Sequence, residues 1–432
     1  RHGLDAEIHV VPRFEADMPK DVRQALDILV ARLRPSAIIV ATDPLSHRPY
    51  VLWALERGLS VLLDKPITTR RGAVYDLAAA QAIEKDYLEI LEAWQRAQQR
   101  APVTVSVCAH RRYHPGFDEV LRIIRDVSAK TGCPVTDIHC HHADGQWRLP
   151  EEIRTQDHHS YHSGHGKASH SGHHFFDCVY RFYKAGTVSG KLADTMKIYA
   201  SFVQPHGLLR QLTRADYLRL FGSEYTQTCP FGDDELEKSF CTFGEIDLNA
   251  VVNFMQGDVA IGQASLNLLH NSFSRRSWLY PPADLYKGNG RVKHEHHRIH
   301  VGPFLAIGIH SYQSKSDHAY NDERDLGPGG NNHFEIHIFR NTGMIGGKEV
   351  EIVHLDQLSL FDRSRLYIDQ VKEGVVGEFF RYLSGELKED ELRSPLQDHL
   401  VPVRLLTAVY ESHVQYLQGG NPVIVKPLWD QQ

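Results

Sequence analysis

Lys65 closes the run Val61-Leu62-Leu63-Asp64-Lys65-Pro66, where an apolar stretch of buried-strand type stops at an acid, a cation and a proline. A short parallel strand delivers such a cation to its own C-terminal end, where open α/β sheets bind ligands. Pro66 keeps Lys65 extended rather than folded into the next helix. A second group of the same kind is Thr42-Asp43-Pro44-Leu45-Ser46-His47, which ends the preceding strand and opens a helix whose first N–H groups favour anions and polar ligand atoms. A third is Gly166-Lys167-Ala168-Ser169-His170-Ser171-Gly172-His173-His174-Phe175-Phe176-Asp177. On a regular helix His170, His174 and Asp177 fall at i, i+4 and i+7 and share one face. An imidazole that takes a hydroxyl proton beside an ammonium that stabilises the oxygen is the equipment for oxidising an alcohol.

Those residues need strands and helices to hold them. In the first 112 residues the pattern alternates: a short strand at 8–11, a helix at 22–33, a strand at 37–41, a helix at 48–57 stopped by Gly58, a strand at 59–63, a long helix at 71–99 and a strand at 103–108. Alternation at this spacing predicts a parallel sheet with crossover helices, a Rossmann-like half. Beyond residue 113 helices are expected at 117–127 and 169–183 and a strand at 135–141. Strand-like pieces then dominate from 194 to 355, at 248–254, 259–268, 298–309 and 334–339. Helices at 371–383 and 396–417 and a strand at 422–425 finish the chain. The fold class read from this is α/β: residues 1–112 form a Rossmann-like parallel sheet domain, N-terminally incomplete. Residues 113–432 form an α+β domain with a large, mainly antiparallel open sheet and a surface insertion at about 272–332, rich in Pro and Gly with breaks at Tyr280-Pro281-Pro282 and Gly327-Pro328-Gly329-Gly330.

Composition limits the partners. The 432 residues carry a formal charge of −6, which argues against nucleic acid and for small molecules. No apolar run reaches the roughly 20 residues of a membrane span, so the expected location is the cytoplasm. The six cysteines form no CxxC pair and read as reduced thiols. Histidine is the outlier at 28 residues, clustered at 139–142, 158–174 and 294–300. Exposed histidines on strands and loops explain most of the set, and HxxxH with Asp177 one turn on is also a metal-binding spacing. No Glu stands between the two histidines as a metalloprotease base would, and no metal is assigned.

At these positions the sequence resembles the Gfo/Idh/MocA family, the relatives of glucose-fructose oxidoreductase and inositol dehydrogenase. Asp64-Lys65-Pro66 is similar to the family's strand-end Glu-Lys-Pro, and Thr42 through His47 to its Thr-Pro turn. Gly164, Gly166, Gly172, His174 and Asp177 match its second-domain signature, and Arg111-Arg112-Tyr113-His114-Pro115 its junction. Weaker matches follow at Asn341-Thr342-Gly343 and at Ala408, Tyr410 and Ser412. The resemblance implies NAD or NADP as cofactor, with Thr42, Asp43, Pro44, His47, Asp64, Lys65 and Arg112 around it. It also implies catalysis by Lys65 and His174 with His170 beside them, and a substrate site at Tyr113, Trp147, Arg148 and Asp177.

Two departures stand out. His170 occupies the family's aspartate position, which is expected to lower the pKa of His174. The glycine-rich GxGxxG loop is missing and is expected upstream of Arg1. The resulting expectation is an NAD(P)-dependent oxidoreductase acting on a secondary alcohol of a sugar, inositol or related polyol, assembling as a homo-oligomer through the open sheet. Two alternatives remain: a lyase or glycosidase that uses the cofactor without net redox, and a non-catalytic sugar-binding protein.

Overall fold

The computed structural model describes residues 7–280, 290–314, 325–358, 361–362 and 364–429. Three parallel strands, β1 (Ala37–Val40), β2 (Ser60–Leu63) and β3 (Val105–Val107), form one sheet in the order β1-β2-β3. Their register pairs Val40 with Leu63 and Leu63 with Val107, so all three strands end level and Thr42, Asp64 and Cys108 follow at one rim. Every residue of β2 is buried, which is why its sequence is apolar without alternation.

The crossover helices are Lys20–Leu33, His47–Glu56 and Leu77–Gln98. The last starts later than the sequence pattern suggests, because the Asp76 carboxylate caps it by accepting from the N–H groups of Ala78 (2.8 Å) and Ala79 (3.4 Å). The expected strand at 8–11 is absent. Ile8 and Val10 are exposed and unpaired in irregular backbone, since no neighbouring strand is present among the described residues to satisfy them.

The second sheet has nine strands: β4 (Asp137–Gln146), β5 (Thr195–Val203), β6 (Asp247–Gln256), β7 (Val259–Asn271), β8 (Val292–Val301), β9 (Leu305–Ser314), β10 (Glu335–Arg340), β11 (Val350–His354) and β12 (Ile424–Pro427). Their order is β11-β10-β9-β8-β4-β7-β6-β5-β12, antiparallel except for the β4·β7 pair. The expected strand at 298–309 is really two, folded into a hairpin at Gly302, so part of the supposed surface insertion supplies interior strands of the sheet. Its Pro281-Pro282 break lies outside the described residues. The helical segment from Pro205 to Phe240, where strand-like pieces were expected, builds a separate small core around Leu149, Tyr161, Tyr217 and Phe240.

One face of the large sheet is covered by helices Pro115–Thr131, His173–Ala185 and Leu400–Leu417. The last also packs on Leu77–Gln98 and is buried from Leu400 to Val414, which explains its apolar character on all sides. It clamps the two sheets together, helped by the Tyr87 hydroxyl donating to Leu396 O at 2.9 Å. Between the sheets the chain crosses through the turn His110–Tyr113. No described helix is long and apolar enough to cross a membrane.

Candidate active site

β2 carries Lys65 to the rim of the parallel sheet, where Nζ donates to the carbonyl oxygen of His170 at 2.8 Å. Among the described residues no carboxylate lies within ion-pair distance of that ammonium. Burial pushes its pKa down, and attraction by Asp64 and then Asp144 opposes the shift. The Asp64 carboxylate accepts the Lys65 backbone N–H at 2.9 Å, fixing the strand end.

The partner segment is not a regular helix. Residues Ala168–Gly172 form a π-helical turn before the α-helix His173–Ala185 begins. Its start is pinned by close backbone approach: a Cβ at Gly166 would sit 2.0 Å from Glu245 O, and the Lys167 N–H donates to that same carbonyl at 2.8 Å. The wider turn breaks the predicted common face, because i and i+4 no longer stack. His170, His174 and Asp177 therefore point into three different surroundings.

His174 lines a cavity of about 550 Å³ together with Lys65, Asp64 and Cys108. Its ring meets the edge of His110 at 4.1 Å between centroids, and its Nδ1 is buried without a partner. Burial, then His110, Arg111, Lys65 and His173, hold it well below the usual imidazole range. His170, expected to cause this shift, is not among those leading causes. Its own ring sits among His159, Tyr161 and His165 at 5.0 to 5.4 Å and does not line the cavity. Only its backbone carbonyl reaches Lys65.

The other walls come from residues the sequence reading gave no role. β4 contributes His142 and Asp144, β8 contributes Lys293 with Arg291 just before it, and the helix Tyr367–Leu383 contributes Lys372. Gly145, at φ +66°, has room for no side chain, since a Cβ would lie 1.7 Å from Val292 O. β4 thereby runs close to β8 where Asp144 meets Arg291. Asp144 is held by the fully buried Lys167, whose ammonium also lies 3.0 Å from His142 Nδ1. Burial alone would raise the Asp144 pKa, but Lys167 and then His142 outweigh it and keep the carboxylate well below its usual range. Arg111 forms a buried bidentate pair with Glu295 at 2.7 and 2.5 Å. Period-two alternation of His142 with Asp144 was the available sequence signal for this wall.

Several expected site residues lie elsewhere. Arg112 and Asp177, assigned to cofactor and substrate, are spent on each other at 2.7 and 3.0 Å, and Arg112 also donates to the carbonyls of Arg393 and Asp398. Trp147 packs with Tyr217 and Phe221 in the small core, and Arg148 donates to Gln146 Oε1 at 2.9 Å and to Gln156. The Tyr113 hydroxyl donates to Glu378. None of these lines the cavity. His47 ties the two strand-end turns together, with Nδ1 2.8 Å from Pro66 O and Nε2 3.2 Å from Thr42 O; a neutral ring donates to only one of them. Among the described residues no group of three or more His, Cys, Asp or Glu is arranged to hold a metal ion.

Comparison with known proteins agrees with this geometry. Residues 6–114 match the GFO_IDH_MocA family model, described as an oxidoreductase family with an NAD-binding Rossmann fold. The match spans all three strands of the parallel sheet. No curated protein sequence matches the chain. Among solved structures, an NAD-binding oxidoreductase from Klebsiella pneumoniae is 13% identical with a TM-score of 0.54, covering 95% of this chain and 84% of that one. Aldose-aldose oxidoreductase from Caulobacter crescentus, complexed with glycerol, is 12% identical with a TM-score of 0.52, covering 95% and 85%. An inositol dehydrogenase homologue from Azotobacter vinelandii, complexed with NAD+, is 12% identical with a TM-score of 0.51, covering 94% and 82%. At such identities the likeness establishes the fold.

The rim of the parallel sheet retains hydrogen-bonding capacity for a polar ligand. Lys65 uses one of its three donors, the Thr42 hydroxyl is exposed at the neighbouring strand end, and Ser171 Oγ is buried without a partner on the cavity wall. The sequence itself holds no GxGxxG cradle for the pyrophosphate.

Proposed function

We propose that the protein is an NAD(P)-dependent oxidoreductase of the cytoplasm that moves a hydride between the nicotinamide and a secondary-alcohol carbon of a sugar, inositol or related polyol. The observation that supports it most is the shared cavity: an ammonium from the rim of the parallel sheet and a neutral imidazole from the segment opposite line one space. Thr42, Asp43, Pro44 and His47, with Asp64 and Lys65, would hold the nicotinamide ribose end. Bound NAD(P)+ supplies the hydride acceptor at C4.

Lys65 and His174 do the remaining work. The Lys65 ammonium, anchored by His170 O, donates to the substrate hydroxyl and stabilises the oxygen as charge develops. His174, held neutral by burial, takes the hydroxyl proton. The C–H bond pair leaves as hydride, the C=O forms, and alcohol plus NAD(P)+ gives ketone plus NAD(P)H and a proton. In the reverse direction His174 returns the proton.

A second reading, a sugar-binding protein without turnover, draws on one observation: the ring of His170 faces other imidazoles and supplies no carboxylate beside Lys65. The open face of the large sheet, where Tyr199, Val251, Phe339 and Ile352 are exposed, is the surface we assign to pairing with a second copy. Calorimetric titration of the full-length protein with NAD+ and NADP+, followed by nicotinamide absorbance on a panel of sugars and polyols, tests the enzyme reading. Binding with reduction supports it, sugar binding without reduction supports the second reading, and no binding of either dinucleotide overturns the enzyme reading.

A further inference from the structure

The cavity has more positive charge than the chemistry above uses. Lys65, Arg111, Arg291, Lys293 and Lys372 line it, against the carboxylates of Asp64, Asp144 and Asp369. The three lining imidazoles, His110, His142 and His174, are all pushed well below their usual range, so they add no charge and relieve none. Most of the cations are committed. Arg111 is chelated by Glu295, Lys372 pairs with Asp369 at 2.9 Å, and Arg291 donates to Asp144 O at 2.9 Å.

Lys293 is different. Among the described residues the one carboxylate within ion-pair distance is Glu295 at 3.9 Å, beyond hydrogen-bond distance, and both oxygens of that carboxylate are already taken, Oε1 by Arg111 and His297 and Oε2 by Arg111. Burial lowers its pKa to about 8, so at neutral pH it remains mostly an ammonium. A largely buried ammonium without a bonded partner costs free energy unless a ligand supplies one.

We propose that the substrate carries an anionic group, a carboxylate or a phosphate, and that the Lys293 ammonium on β8 binds it. The inference rests on the reading of this cavity as the substrate site and narrows the sugar or polyol to its acidic derivatives. A neutral polyol would leave Lys293 unsatisfied and the cavity's positive charge uncompensated. An anion bonded to Lys293 closes both gaps at once and helps orient the rest of the substrate within the cavity that Lys65 and His174 also line.

The test is calorimetric titration of the full-length protein with D-glucuronate, glucose-6-phosphate and D-glucose, on the wild type, Lys293→Met and Lys293→Arg. Charge-assisted hydrogen bonds predict that at least one anion binds about tenfold or more tighter than glucose, that Lys293→Met removes this advantage, and that Lys293→Arg keeps most of it. A preference for glucuronate assigns a carboxylate, and a preference for glucose-6-phosphate a phosphate. Equal binding of all three by the wild type, binding of none, or an anion advantage that survives in Lys293→Met overturns the proposal. A melting temperature measured on each variant separates lost binding from lost folding, with Lys293→Arg as the folded, charged control. No dinucleotide or turnover enters this measurement, so an anion subsite without NAD(P)H formation would sink the oxidoreductase reading and leave this one standing.

Discussion

The two faces of β8 carry similar residues and do opposite things with them. On the open face His296 stands in a single transverse row running Ser201, Asn249, Asn267, His141, His296, His310, Glu335 and His354 across eight strands. Its members satisfy one another: His141 Nδ1 lies 2.8 Å from Asn267 Oδ1, and the His296 and His310 rings stack at 4.5 Å. On the covered face the same strand presents Lys293, Glu295 and His297, where Glu295 pairs with Arg111 and Lys293 stays unbonded. The comparison teaches that histidine content alone says little. The imidazoles of both faces are pushed down by burial, and around the cavity the charge is left to lysine and arginine.

Substitutions should separate the two faces, beginning with the covered one. Lys65→Met should reduce kcat by roughly 10³-fold through loss of charge stabilisation, read as nicotinamide absorbance, while leaving the melting temperature nearly unchanged. His174→Asn should cost about 10²-fold or more in kcat and flatten the pH profile on its acidic limb. Glu295→Gln leaves Arg111 buried without its counter-ion and should destabilise the fold by about 3 kcal/mol or more in denaturant unfolding. Its open-face counterpart Glu335→Gln, whose partners are the part-exposed His337 and His354 and the buried His333, should cost less, about 1 kcal/mol, in the same assay.

A further effect concerns acid. His165, His173 and His270 are pushed down to about 4 by burial, from an ordinary value of 6.5. The unfolded chain therefore binds more protons than the folded one in that window. Stability is full above about pH 6.5 and falls progressively as pH drops toward 4. His173→Asn should reduce this slope measurably in thermal melts taken across the window.

Strand ends were the most legible feature of the sequence. An unbroken apolar run such as Val61 to Leu63 has few ways to be buried other than as a central parallel strand, and that fixes where Lys65 emerges. The neighbourhood of His174 was legible only in part, because the π-helical turn depends on backbone packing of Gly166 against Glu245, nearly eighty residues away. Long-range pairing also hid the remaining wall. Lys293 and Arg291 sit in a stretch whose Pro and Gly content suggested a surface excursion, yet its hairpin fills the centre of the nine-stranded sheet. Arg112 and Asp177 matched a motif and turned out to bind each other, since a motif constrains positions without saying which neighbour each charge meets.

The most direct test of the account is reduction of NAD(P)+ by the full-length protein with sugar acids, sugar phosphates and neutral polyols, compared between wild type, Lys65→Met and His174→Asn. The account predicts NAD(P)H formation with at least one of these substrates and its loss by about 10²-fold or more in both variants, with dinucleotide binding retained in His174→Asn. Turnover that survives both substitutions, or a wild-type protein that binds neither dinucleotide, would contradict it.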